Sequence, residues 1–348
     1  MSEHVRAALA AVVDGRSLEV DEARLAMGAV MDGEATPAQL AALLVALRMR
    51  GETVEELAGF ASAMRERVLR VEAPEGTIDV VGTGGDGSGT FNISTAAALL
   101  VASTGVPVAK HGNRAITSRS GSADVLDALG VRIDHSAESA GESMKRLGFA
   151  FLFAPTFHPA MRHAGPTRRE IGVRTAFNLI GPLTNPAGAR RALLGVADPK
   201  GAERIAQVAA LLGTDRTMVV HGAGVDELPL DGTGVIHDVT GDGVEVRTVD
   251  ATALGLREAA TADLAGGDAE ENAAMIEAIF AGEAGPRRDV VLLNAGAALV
   301  VADVGIDLAD GIAAARNALE TGMPRDLLTM LRAERAVAES LAAAGSPA

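Results

Sequence analysis

The chain has no cysteine, no tryptophan and no tyrosine among its 348 residues. Without thiols it can form neither a disulfide framework nor a thiolate metal site. Long basic runs are also missing, and the formal net charge is −15. That balance argues against non-specific binding to nucleic acid or to an anionic membrane. No apolar run approaches the ~18 residues needed to span a bilayer. The opening Met1-Ser2-Glu3-His4-Val5-Arg6 carries acid and lacks a basic region followed by an apolar core, so it does not read as a secretory signal. A soluble cytoplasmic protein is expected. Hydrophobic residues make up 48% of the chain, which places it among folded globular proteins. Its length allows two or three domains at the usual ~100–200 residues each.

Glycine, by contrast, is plentiful, and it concentrates in one place. Ile78, Val80 and Val81 read as a short buried strand, and Ala96 to Val101 as a helix. Between them lie Gly82, Gly84, Gly85, Gly87 and Gly89. A turn this rich in glycine lets backbone amides converge on a ligand, and the helix start behind it is expected to add free amides and a positive dipole end. Such a turn suits a phosphate or pyrophosphate. Gly82-x-Gly84-x-x-Gly87 formally satisfies the dinucleotide pattern, but the acid expected about 20 residues later is missing. Gly87-Ser88-Gly89 also lacks the lysine of a nucleotide-triphosphatase loop.

Ahead of this loop, residues 1 to about 70 read as helices. Thr36-Pro37-Ala38-Gln39 supplies an N-cap, a proline at the first helical position and a capping-box partner, and Thr53-x-x-Glu56 opens another helix. Leu40, Leu43, Leu44 and Leu47 share one face, as do Leu57, Phe60, Ala61 and Met64; core or subunit contact is their simplest role. From residue 77 short apolar strands alternate with helices, the mark of an α/β domain. Val106–Lys110, Val131–Ile133 and Phe149–Phe153 read as strands two to four, with Ser122 capping a helix between the first two of these. Asp231 to Val249 resembles hairpin strands, and the end is helical.

Further chemistry-bearing residues cluster. Lys110-His111-Gly112-Asn113-Arg114 leaves a strand end, where α/β sheets gather ligand groups, and a lysine there suits a phosphate oxygen. Asp226-Glu227 lies just past a strand, between Gly222, Gly224 and Pro229. Adjacent carboxylates on a turn, with a hydroxyl and waters, form a hard oxygen site typical of magnesium. An exposed acidic turn is the plainer alternative.

Taken together, Gly82-Thr83-Gly84-Gly85-Asp86, Asn92-x-Ser94-Thr95, Lys110-His111-Gly112-Asn113-Arg114, Gly121-Ser122-Ala123-Asp124, the run from Gly172 to Pro186 and His221-Gly222-x-Gly224-x-Asp226-Glu227 resemble the anthranilate phosphoribosyltransferases of tryptophan biosynthesis. The resemblance runs from the N-terminal helices to the C-terminus. It implies a small N-terminal helical domain, residues 1–72, with part of about 160–186 packed onto it. The rest, 73–159 and 187–348, would form a larger α/β domain with a central mixed, mainly parallel sheet flanked by helices.

Carried over position by position, the resemblance assigns phosphoribosyl diphosphate to the loop residues Gly82, Thr83, Gly84, Gly85, Asp86 and Thr90, followed by Asn92, Ser94 and Thr95. Lys110 and Ser122 complete that set. Anthranilate falls to Gly82, His111, Asn113, Arg168, Gly181 and Pro182, with Arg168 matching the carboxylate through its guanidinium fork. Magnesium, two ions per subunit, is assigned to Asp226 and Glu227 with Ser94 as the hydroxyl partner. A homodimer is implied. An arylamine nucleophile needs no strong base before attack, so no residue is assigned as a catalytic acid or base. Pyrimidine nucleoside phosphorylases share this architecture, but Lys110-His111-Gly112-Asn113 argues against them.

Overall fold

Alternate residues of the central strands enter two different cores. Leu193, Met218 and Val220 point into one, Leu194 and Val219 into the other, as the two-residue period of a strand covered on both faces requires. A computed structural model of the chain describes residues 2–115 and 119–345. The strands are β1 (Ile78–Gly82), β2 (Val108–Gly112), β3 (Phe149–Phe153), β4 (Arg191–Gly195), β5 (Arg216–His221), β6 (Thr233–Thr240) and β7 (Gly243–Asp250). They form one sheet in the order β3-β2-β1-β4-β5-β6-β7. The first five are parallel, and β6 and β7 return antiparallel. The sheet is therefore mixed and mainly parallel. Sequence order reverses between β1 and β4, and crevices at such points are where open α/β sheets bind ligands.

One core contains helix Ile93–Ser103 and helix Pro286–Val301, whose residues from Asp289 to Val301 are all buried. Behind the other face lies helix Pro199–Leu211, and behind that the N-terminal helices α1 (Glu3–Val13), α2 (Val20–Met31), α3 (Pro37–Arg50) and α4 (Val54–Arg65). Thr36 and Thr53 cap α3 and α4, each with its capping box closed by Gln39 and Glu56. Leu40, Leu43, Leu44 and Leu47 form the buried stripe of α3, each contributing about 1.5–3 kcal/mol by leaving water. Short helices Gly165–Ile171 and Ala176–Ile180 lie against α3 and α4. Among the described residues no helix is long and apolar enough to cross a membrane.

Two sequence expectations fail locally. Val131–Ile133 is not a strand: the Val131 amide closes back onto Leu126 O, and Arg332 from the C-terminal helix takes the carbonyl of Leu129. Gly121, not Ser122, occupies the cap of helix Ser122–Ala128, because Asp124 reaches back to the Gly121 amide.

The helical layer turns on one buried acid. Glu56 is fully buried, accepts the amides of Leu18 (2.8 Å) and Thr53 (2.9 Å), and pairs with Arg50. It therefore ties the segment just before α2 to α3 and α4 at one point. Glu56→Ala leaves two amides without a partner and takes the paired carboxylate from an Arg50 guanidinium that keeps bonds to Arg16 O and Gly51 O, and is expected to cost about 2–4 kcal/mol. Urea unfolding measures this; a loss below about 1 kcal/mol would show that the joint is not needed.

Candidate functional site

β1 ends at Gly82, and the chain loops to the helix that starts at Ile93. Gly84, Gly85, Gly87 and Gly89 have φ of 63°, 66°, 77° and 69°, a region that a side chain makes costly. The repeated reversal leaves the amides of Gly85, Asp86, Gly87 and Gly89 with no hydrogen-bond acceptor among the described residues. The helix start differs from expectation. Ser94 N–H donates to Glu227, and the Thr95 and Ala96 amides both reach Asn92 O. The open donors lie in the loop, not at the helix end.

Across from the loop is the turn after β5. Gly222 and Val225 bond to each other around Ala223 and Gly224, whose φ values of 49° and 79° mark a tight two-residue reversal. The chain then passes over the ends of β1 and β4. Gly82 and Gly195 are register partners there. A Cβ on Gly195 would strike the Asp226 carbonyl, and one on Gly82 would strike the Asp226 carboxylate. In that space Asp226 Oδ2 accepts Gly84 N–H at 2.7 Å, while Glu227 Oε1 accepts Ser94 N–H at 3.1 Å. The two adjacent acids thus hold both ends of the loop.

Lys110 lies beneath them, 1% exposed, donating to Val80 O at 2.7 Å and to Ser94 Oγ at 3.4 Å. Burial lowers its pKa, opposed by the charges of Asp79, Glu227 and Asp226. Burial pushes Asp226 up to about 6, with the Asp86 charge adding to the effect. It pushes Glu227 well above the usual carboxylate range, Asp226 adding again. Two acids are therefore crowded beside a single lysine that only partly neutralises them. Asp86 faces the same charges and has a buried Oδ2 without a partner among the described residues. This donor set fits a divalent cation. Among the described residues no three His, Cys, Asp or Glu groups converge to cage a metal alone. Magnesium commonly binds in that way, keeping water and substrate phosphates as its other ligands.

Of the residues assigned to the aromatic acceptor, Arg168 lies on a helix packed against α3, Gly181 and Pro182 follow the helix packed against α4, and Gly82 lies under Asp226. His111 and His158 have ring centroids 5.0 Å apart, both rings buried. Burial lowers their pKa values to about 3 and about 4, so both are neutral at neutral pH, and each Nε2 lacks a partner among the described residues. Backbone groups of Gly181 and Thr184 hydrogen-bond to the two rings; Pro182 lies between them in sequence. Asn113 is exposed, its Oδ1 accepting Arg114 N–H at 2.8 Å. Arg168 rests on the Phe177 ring, 4.7 Å from its centroid, and no carboxylate stands within ion-pair distance of it among the described residues. A half-buried guanidinium with no counter-charge favours an incoming anion.

The other assigned residues divide. Thr83 N–H bonds to Gly195 O, and Thr90 to Ser88 through their hydroxyls, so both shape the loop. Asn92 is held by Asn272 at 2.9 Å. Ser122 Oγ donates to Asn113 O at 3.4 Å. Thr95 is fully buried, its hydroxyl unpartnered among the described residues.

Sequence reasoning missed several neighbours. Arg174 donates to Gly84 O at 2.5 Å, and Asn185 bonds both Asp79 (2.7 Å) and Ala109 O (2.8 Å). An acid inside the apolar run Ile78–Val81 was the available signal for Asp79. Gly195 at the end of a strand was a signal of close backbone approach. His158 carried no signal of its own.

Residues 6–68 match the family model described as the glycosyl transferase family, helical bundle domain, and residues 74–324 match its a/b domain. The anthranilate phosphoribosyltransferase of Thermomicrobium roseum is 51% identical over 334 residues, covering 94% of this chain and 96% of its own length. That of Afipia carboxidovorans is 50% identical, with 94% and 97% covered. The crystal structure of anthranilate phosphoribosyltransferase from Thermus thermophilus superposes with a TM-score of 0.89 at 47% identity, covering 94% of this chain and 99% of that one. The Saccharomyces cerevisiae enzyme in complex with PRPP and Mg gives a TM-score of 0.88 at 25% identity, with 97% and 99% covered. Fold and matched models define a glycosyl transferase with a helical bundle set against an α/β domain. Within that class, the chain belongs to the anthranilate phosphoribosyltransferase family.

Gly195 tests the crowding over the strand ends. Its φ is not positive, so alanine there would ordinarily add about 0.4–1 kcal/mol by restricting the unfolded chain. The clash with Asp226 reverses that sign, and Gly195→Ala is expected to cost about 1–3 kcal/mol in urea unfolding. A gain in stability would mean that the Asp226 backbone does not lie there.

Proposed function

We propose that the chain transfers the 5-phosphoribosyl group from 5-phospho-α-D-ribosyl 1-diphosphate to the amino group of anthranilate. The products are N-(5-phosphoribosyl)anthranilate and pyrophosphate, the second step of tryptophan biosynthesis from chorismate. The observation that carries this reading is the grip of Asp226 and Glu227 on the two ends of the glycine loop, with Lys110 buried beside them. The relatives' shared name supports it, as does the yeast enzyme solved with PRPP and Mg.

In this reading the open amides of the loop, with Thr83, Asn92, Ser94 and Lys110, bind the diphosphate and the phosphoribosyl moiety. Asp226 and Glu227, with Ser94, would hold magnesium, which when bound supplies positive charge against the phosphate oxygens. Lys110 adds a fixed cation as negative charge develops on the departing pyrophosphate. Arg168 orients the anthranilate carboxylate, and the neutral His111 and His158 rings with Gly181 and Pro182 form the wall beside it. The arylamine attacks with its own lone pair, so the chain supplies alignment, worth up to about 7–11 kcal/mol, and no strong base. The transition state is dissociative and inverts the anomeric carbon. Two magnesium ions per subunit, a cytoplasmic location and a homodimer belong to the same proposal; exposed Val13, Val45 and Met49 on α1 and α3 support pairing.

Anthranilate fluorescence follows the reaction directly, since the chain has no tryptophan or tyrosine. Arg168→Ala is expected to raise KM for anthranilate about 10- to 100-fold with a smaller change in kcat, the loss of one charged hydrogen-bonded pair. Asp226→Asn with Glu227→Gln should instead raise the magnesium requirement. Unchanged kinetics in both would overturn the site assignments. Mixing enzyme with the diphosphate substrate alone should yield no covalent ribosyl-enzyme by mass spectrometry; trapping one would overturn the single-displacement mechanism.

A further inference from the structure

Asn294 is 0% exposed and sits inside the wholly buried part of helix Pro286–Val301, where every neighbour but Asp289 is apolar or glycine. A primary amide in such a place must find partners. Its Oδ1 accepts Leu228 N–H at 2.9 Å, and its Nδ2 donates to Leu228 O at 3.0 Å and to Val290 O at 3.0 Å. Both side-chain donors are used, and the bond to its own helix holds the amide in one orientation. Leu228 therefore receives from a side chain the pair of bonds that a neighbouring strand residue would give.

The position of Leu228 gives this pairing its consequence. On the near side of the acids, Gly222 and Val225 bond to each other and close the turn. On the far side, Asn294 anchors Leu228, which is itself fully buried. Asp226 and Glu227 are the two residues between these fixed points. We infer that Asn294 is a positioning residue for the Asp226–Glu227 pair, setting the backbone from which both carboxylates reach the loop amides. Without its amide, Leu228 has a buried N–H and C=O with no partner. The peptide relieves that by swinging toward water, which draws Glu227 from the Ser94 amide and Asp226 from the Gly84 amide.

This inference rests on the reading that the two acids bind the metal, and the experiment separates the two. Asn294→Leu (similar volume, no amide), Asn294→Asp (keeps the acceptor, loses the donor), Leu299→Ala (a buried truncation on the same helix) and Asp226→Asn are made in the full chain. Mn2+ is titrated by electron paramagnetic resonance with PRPP present and anthranilate absent. Hydrogen exchange is followed over residues 226–230, and urea unfolding is run on each variant. Asn294→Leu is expected to weaken Mn2+ at least tenfold and to speed exchange in 226–230 selectively. Asn294→Asp should fall between it and the wild type. Leu299→Ala should lose stability yet bind Mn2+ within twofold of the wild type. A folded Asn294→Leu that binds Mn2+ normally overturns the inference, as does equal weakening by Leu299→Ala. If Asn294→Leu fails to fold, a wild-type Leu228 amide that exchanges as fast as the loop amides, or normal Mn2+ binding by Asn294→Asp, overturns it. Normal Mn2+ binding by Asp226→Asn overturns the metal reading and this inference with it. Weakening by Asp226→Asn but not by Asn294→Leu overturns the inference alone.

Discussion

The site depends on one steric allowance. Asp226 can lie across the ends of two parallel strands only because Gly82 and Gly195, side by side in register, present no Cβ to it. Once there, its carboxylate reaches the Gly84 amide, and Glu227, next along the chain, reaches Ser94. The glycine loop is then held at both ends while its middle amides stay open. Glycine loses more conformational freedom on folding than any other residue, so a loop with four left-handed glycines would not order itself. Its order is supplied by a turn more than a hundred residues away.

A second linkage sets the sheet against the helical layer. Asp79 on β1 is buried and held near a pKa of about 6, yet it accepts His111 N–H and the Asn185 amide. Asn185 follows the segment Gly181–Leu183, whose Leu183 carbonyl accepts a bond from Arg65 at the end of α4. The same segment contacts the His111 and His158 rings through Gly181 and Thr184. One short irregular stretch is thus tied to α4 and to β1 while it forms the wall beside the two histidines. Polar contacts therefore tie this wall to both layers, in addition to the hydrophobic cores.

Local signals were legible in sequence and long-range ones were not. The strand–turn–helix around the loop, the caps at Thr36 and Thr53 and the turn at Asp226 each follow from residues within a few positions of one another. Val131–Ile133 shows the limit: an apolar alternation that fits a strand became the wrap of a helix end, because Arg332 from the C-terminal helix was in place to take the Leu129 carbonyl. Helix Pro286–Val301 shows the same limit from the other side. Its apolar run was readable as a helix, but Asn294 within it drew no reading of its own, because its partner Leu228 lies in the segment after β5. Free amides were expected at the start of helix Ile93–Ser103 for the same reason. The acid that takes one of them is 133 residues further on.

A chain of net charge −15 is a poor binder of a polyanion if charge is averaged over the surface. The averaging is what fails. The Debye length is about 8 Å at physiological salt, so the distant acids are largely screened, whereas a pair about 4 Å apart near the surface retains about 4 kcal/mol. Around the loop the nearest groups are open amides, Lys110 and the Arg174 guanidinium. The two acids among them do not oppose this arrangement. Burial makes their negative charge costly, and a divalent cation relieves that cost while presenting positive charge outward. Acidity at this one point is therefore the means by which an acidic protein can attract a phosphate.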